Sequence, residues 1–220
     1  MIRDDITELY DFLEEIGVTR SMLQTKDLLG EISQDRLSFE FEVEECFEAK
    51  TMLQVRLHFR KRRSEAYYLF KYDACLKYLE QSDRNVKQTF LMLQMKPTLK
   101  EAFNLLQGRS VLKSIRSTQG EEYNCWVRLE FKEVDASNDF KVIRYRHNPF
   151  TFEKFLDQYP TLLEASDEVG RSKLLKSLKR GNKELVTFRT QNGKPMKKLV
   201  EMNPHLKRLK INDPPKHLAD

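Results

Sequence analysis

LSFEFEVE (37–44) and LQVRLHF (53–59) decide the class of this fold. Both alternate between apolar and polar residues, the pattern of a strand with one face buried and the other in water. In the first, Leu37, Phe39, Phe41 and Val43 share one side, and Glu40, Glu42 and Glu44 the other. In the second, Leu53, Val55, Leu57 and Phe59 oppose Arg56 and His58. Antiparallel pairing would set glutamates beside Arg56 and His58. YYLFKY (67–72) is expected to form a third strand, with Asp73 capping a helix over 74–81.

Upstream, Ile6, Leu9, Tyr10, Leu13 and Ile16 recur at helical spacing, and Gly17 supplies a stop. A second short helix is expected over 21–29, ending before Gly30. Downstream, 84–94 fits either helix or strand. Thr98 and Glu101 then make a capping box for a helix ending near Gly108. Strand patterns return in RSVLKSI (109–115), NCWVRLEF (124–131) and FKVIRY (140–145). Thr151 is expected to open a helix through Tyr159. Ser166 is expected to cap another, with Leu174, Leu175 and Leu178 inward, basic residues around them and Gly181 at its end. Asn192-Gly193 lies between two strand-like runs, a hairpin signal, and LKRLKI (206–211) can add one more strand.

Several words occur twice. VRLHF (55–59) returns as VRLEF (127–131), LLG (28–30) as LLQG (105–108), and CLKYL (75–79) as FEKFL (152–156). The order of elements also repeats: helix, glycine, three strands, helix. Diverged duplication explains this, against chance similarity between two amphipathic hairpins. The expected architecture is α+β, with two similar units at 1–95 and 96–220, each a small antiparallel sheet with helices on one face. The boundary is placed at 95–97.

The 220 residues suit one large domain or two of about 100. At 40% hydrophobic residues there is material for a core, and 7 Gly and 7 Pro leave no room for low-complexity linkers. Cys46, Cys75 and Cys125 form no CxxC pair, so no disulfide framework or zinc site is implied. No apolar stretch approaches the ~18 residues of a membrane span, and the acidic start MIRDDITELYDFLEE is no signal peptide. A cytoplasmic location without a membrane partner is expected. Charge is polarised. Residues 1–50 hold 5 Lys/Arg against 14 Asp/Glu, a net of −9, and residues 171–220 hold 14 against 4, a net of +10. A basic tail suits a polyanionic partner; mutual neutralisation of head and tail, within the fold or between subunits, is the alternative.

Two basic clusters are candidate phosphate contacts. RKRR, which is Arg60, Lys61, Arg62 and Arg63, sits at an expected hairpin tip; it also reads as a solubilising turn, because no aromatic lies within it to stack on a base. The tail offers Lys194, Lys197, Lys198, Lys207, Arg208 and Lys210, and the helix before it Lys176, Lys179 and Arg180. The tail's excess of lysine fits phosphate attraction better than base readout. His58, His147, His205 and His217 lie in no metal motif, and His58 is expected in a surface ion pair. Glu40, Glu42, Glu44 and Glu45 read as a solvated face rather than a metal site. Trp126 is expected in the core. No P-loop, GxGxxG or GxSxG occurs, so no cofactor or small-molecule substrate is indicated.

LLQGRSVLK (105–113), YNCWVRLEF (123–131), SLKRGNKELVTF (177–188) and EMNPHLKRLKI (201–211) resemble an uncharacterised domain family carried largely on conjugative and other mobile elements of Bacteroidetes. The matching positions are Gly108, Arg109, Val111, Lys113, Tyr123, Trp126, Leu129, Phe131, Gly181, Asn182, Val186, Phe188, Asn203, Pro204 and Lys207. The closing motif departs from the family pattern at Met202 and Leu206. The resemblance implies a setting close to DNA handling and no particular activity. The expected function is a non-catalytic accessory protein that binds nucleic acid through phosphate contacts. The alternative is a protein–protein interaction module in a conjugation or DNA-processing assembly, and a metal-dependent enzyme using the glutamate row comes third.

Overall fold

The computed structural model describes residues 2–24, 27–117, 119–146 and 154–215. The protein is α+β, built on three small antiparallel sheets. Two compact units divide between Leu106 and Gln107, and Val134–Phe140 belongs to the first. The division falls after the Thr98-capped helix rather than at 95–97, because that helix fills the first unit's core.

The first unit holds α1 (Ile2–Glu15), α2 (Arg20–Gln24), α3 (Leu28–Ser33), β1 (Ser38–Glu45), β2 (Thr51–Lys61), β3 (Tyr67–Tyr78), β4 (Val86–Leu91) and α4 (Leu99–Leu106). Its strands pair in chain order, β1-β2-β3-β4. Phe39, Phe41, Val43, Leu53, Val55, Leu57, Phe59, Leu69, Tyr72, Ala74 and Leu76 form the buried face. The helices cover that side: α1 and α4 contact β3, α4 also contacts β4, and α2 contacts β1. At the end of α1 the chain turns at Gly17, φ 89°. Val18 N donates to Leu13 O (2.8 Å) and Gly17 N to Glu14 O (2.9 Å), the paired closure of a glycine-stopped helix. Leu99 N donates to Ile16 O (2.7 Å), tying α4 to that turn.

Glu42 stands opposite Arg56 and Glu40 opposite His58, so glutamates lie beside both as expected. Other local expectations are corrected. No helix covers 74–81. β3 continues to Tyr78 because Tyr72, Ala74 and Leu76 keep a period of two into the core, and Asp73 faces outward from the strand. Leu37 lies outside β1 and is 83% exposed. The helix expected over 21–29 is two helices, and Gly30 sits inside α3. Asp27 caps α3 by accepting from Gly30 N (3.0 Å), and a Cβ on Gly30 would lie 2.4 Å from Asp27 Oδ2. The ambiguous 84–94 stretch contains β4.

The second unit holds β5 (Val111–Arg116), most of β6 (Glu122–Val134) and β7 (Phe140–Arg146), α5 (Glu168–Lys179), β8 (Glu184–Arg189), β9 (Pro195–Asn203) and β10 (Arg208–Asn212). The sheets run β5-β6-β7 and β10-β9-β8. The cap of α5 is Asp167, one residue beyond the expected Ser166; Asp167 Oδ1 accepts from Gly170 N (2.9 Å). Leu174, Leu175 and Leu178 join Trp126, Val186, Phe188, Val200, Met202 and Leu209 in one core cluster. Residues 147–153, which include Thr151, lie outside the described residues, and Phe155–Gln158 is a 3-10 turn.

The repeated words do not give the same environment. Val55, Leu57 and Phe59 are all buried, whereas in VRLEF Val127 and Leu129 are buried and Phe131 is 41% exposed. The first unit has one four-stranded sheet and the second is built on two three-stranded ones. The likeness between units is therefore mainly at the level of a hairpin.

The capping box forms as expected: Thr98 N donates to Glu101 Oε2 (2.9 Å), and Glu101 N to Thr98 Oγ1 (3.2 Å). Thr98→Ala is expected to lower stability by about 1 kcal/mol, measured by urea unfolding with an unchanged slope. An unchanged midpoint would show that the box contributes nothing to α4.

Candidate nucleic-acid interface

In the first unit, the alternation that buries Leu53, Val55, Leu57 and Phe59 turns Gln54, Arg56, His58 and Arg60 to the opposite side of the sheet. Glutamates of β1 and Asp73 of β3 meet most of this row. Gln54 Nε2 donates to Glu44 Oε1 (2.9 Å). Arg56 donates to Glu42 Oε1 from Nε (3.1 Å) and Nη2 (2.9 Å), and Glu40 lies 3.5 Å from Nε. The hydrogen bond to Glu42, with the charges of Glu42 and Glu40, holds the guanidinium pKa above its ordinary value.

His58 is only 8% exposed, not a surface residue, and a carboxylate faces each ring nitrogen. Nδ1 is 3.1 Å from Glu40 Oε1 and Nε2 is 2.6 Å from Asp73 Oδ2. Burial alone would raise the Asp73 carboxyl; the hydrogen bond and charge of His58, helped by Thr89 and Lys71, outweigh it and hold Asp73 below the ordinary carboxylate value. The glutamate row is thus engaged by side chains of the neighbouring strand. Among the described residues, no group of three or more His, Cys, Asp or Glu is placed to hold a metal ion.

The basic tip divides by strand alternation. Lys61 turns back to Asp35 (Nζ–Oδ1 2.6 Å) and to Glu65, with 9% of its side chain exposed. The hydrogen bonds to Asp35 and Glu65 hold its ammonium well above the ordinary lysine value, and its charge is spent locally. Arg60, Arg62 and Arg63 are exposed and, among the described residues, make no ion pair. Arg60 lies over the Phe70 ring, Cζ to centroid 3.9 Å, and Arg62 over Tyr68 at 4.9 Å. The aromatics absent from the RKRR tetrad come from the partner strand of the same hairpin.

In the second unit, Val186, Phe188, Val200, Met202 and Leu209 face the core cluster that α5 completes. Alternation puts Arg189, Lys197, Arg208 and Lys210 on the opposite face of the sheet, all exposed. Lys197 stands across from Thr187, Lys210 from Glu201 and Arg208 from Asn203. Lys183, just ahead of β8, reaches the same region, with Nζ 4.0 Å from Glu201 Oε2. Among the described residues of this sheet, the carboxylate on that face is Glu201. It is 8% exposed, and Lys210 Nζ lies 2.7 Å from its Oε1.

The other expected contacts are scattered. Lys198 falls on the core side of β9, opposite Val186, and pairs with Asp213. Lys194 lies in the β8–β9 turn and Lys207 in the β9–β10 turn at φ 49°. Lys176, Lys179 and Arg180 belong to the helix on the core side, so they do not extend the outer face of the sheet. The candidates of the second unit therefore do not share one face of the sheet. Lys183 and Arg189 join Lys197, Arg208 and Lys210; their signal was the alternation of KELVTFR (183–189), which puts both on the side opposite Val186 and Phe188. His205 rests near Tyr145, ring centroids 5.7 Å apart, and His147 and His217 lie outside the described residues.

Comparison with protein-family models, with curated proteins and with solved structures finds no match.

Because the folded-state pKa of Asp73 is depressed, its ionised form stabilises the fold above the unfolded-state pKa, and that contribution is lost as pH falls through the folded value. Between about pH 5 and pH 3, the wild-type chain is expected to lose stability faster than Asp73→Asn in urea melts. Parallel losses in the two chains would show that the carboxylate contributes nothing.

Proposed function

We propose that the protein is a cytoplasmic, non-catalytic accessory factor that binds nucleic acid through phosphate contacts on the outer face of β8–β10. The mobile-element setting rests on the sequence resemblance alone. The observation that carries the binding reading is the charge balance of that face: among the described residues of the sheet, Lys183, Arg189, Lys197, Arg208 and Lys210 share it with one carboxylate, the buried Glu201. Residues 181–212 contain 8 Lys/Arg and 2 Asp/Glu. A sheet face so unbalanced gathers counter-anions, and releasing ions condensed on a polyanion drives its association. Exposed lysines attract phosphate as point charges and carry little base code, which suits a binder with weak sequence preference.

A second reading has its own support. β10 is the edge strand of its sheet, and an exposed edge can take a strand from a protein partner.

Fluorescence anisotropy of labelled DNA over a salt series separates the two. Affinity is expected to fall steeply with salt. Lys197→Ala with Arg208→Ala should make the log–log slope shallower by about two if each residue meets one duplex phosphate. Lys210 is left intact because it covers Glu201. Absence of binding at low salt, or an unchanged slope in the double variant, would remove phosphate contact from this face and favour the edge strand.

A further inference from the structure

We infer that the first unit carries a separate site for an unpaired nucleobase of a single strand, at the hollow beside Tyr68 and Phe70. The inference rests on the nucleic-acid reading and names the strand form that the protein takes.

A bulge builds the site. His58 pairs with Lys71 and Phe59 with Leu69, so Phe70 is an extra residue without a cross-strand partner. A bulged residue and its neighbour lean to the same side of a sheet, which brings Phe70 out beside Arg60 and His58. β4 begins its pairing with β3 at Lys71, leaving Tyr67–Leu69 without a strand on that side. A hollow of about 410 Å³ opens there, lined by Tyr68, Phe70, Met92, Leu93, Arg62 and Lys96 among others. Leu93 is 93% exposed, the most exposed large apolar side chain described.

The chemistry suits a base more closely than an apolar ligand. Aromatic rings and guanidinium planes are the two protein surfaces on which unstacked bases pile. Both are present: Arg62 lies over Tyr68 in the lining of the hollow, and Arg60, outside that lining, lies over Phe70. Arg62 and Lys96 bring positive charge to the lining, where the phosphate of the same nucleotide can sit. Asp5 and Glu8 line the same hollow and repel phosphate where they face it. A paired base cannot present its face to such a hollow, so the site selects single strands.

The test uses the full chain and a labelled 12-nucleotide DNA of mixed sequence, single-stranded or annealed. The variant Tyr68→Ala with Phe70→Leu removes both rings. The conservative variant Tyr68→Phe keeps the ring and reports on folding. The double variant is expected to weaken single-strand binding about tenfold or more, with duplex affinity and the salt slope unchanged. Tyr68→Phe should bind like wild type. A folded double variant with unchanged single-strand affinity would overturn the site while leaving phosphate binding by β8–β10 standing. Wild type that binds neither form at low salt would overturn both, and would leave the hollow to a protein segment.

Discussion

The first unit depends on satisfying both sides of β2 at once. Its inward row, Leu53, Val55, Leu57 and Phe59, is fully buried beneath the helices. Its outward row carries Arg56, whose charge has to be met on the outer sheet face, and His58, whose two ring nitrogens need partners. β1 supplies Glu40, Glu42 and Glu44 at matching positions, and β3 supplies Asp73. Register and charge pairing therefore specify each other. A slip of one residue would bury glutamates and expose phenylalanines. The exposed pairs contribute little to stability one by one, but they make any other register unfavourable.

The same logic explains why the two sheet faces differ in what they offer a partner. In the first unit, cations and carboxylates alternate across adjacent strands and consume one another. In the β8–β10 sheet, the described outer face has Lys183, Arg189, Lys197, Arg208 and Lys210 against one carboxylate, Glu201, which Lys183 and Lys210 approach. The excess of exposed cations over carboxylates on one face, rather than total positive charge, marks the surface that suits an anion. The RKRR tip shows the distinction within four residues: Lys61 is spent on Asp35 and Glu65, while Arg60 and Arg62 rest on aromatic rings and remain exposed.

Much of the fold was legible where the pattern is local and repeated. The period-two runs in β1 and β2, the Gly17 stop and the Thr98–Glu101 box all follow from residues within one element. Asp73 misled because an aspartate before Ala-Cys-Leu reads as a cap, whereas its partner is His58, a strand away. The start of α3 has no strong sequence mark, since Asp27 caps it through a glycine that reads as a terminator. The aromatic floor of the basic tip was missed for a related reason. Tyr68 and Phe70 follow RKRR by only a few residues, but they reach the arginines by pairing across a hairpin, and a bulge decides which way Phe70 points.

The central claim is that internal pairing silences the charged face of β1–β4 and leaves the outer face of β8–β10 and the Tyr68–Phe70 hollow open to nucleic acid. The most direct measurement is an amide-resolved NMR titration with a short single-stranded oligonucleotide. The account predicts shifts at Lys197, Arg208 and Lys210 and at Tyr68 and Phe70, with Glu42, Arg56 and Asp73 unmoved. Shifts centred on Glu42, Arg56 and Asp73 would contradict it, as would a spectrum that does not change.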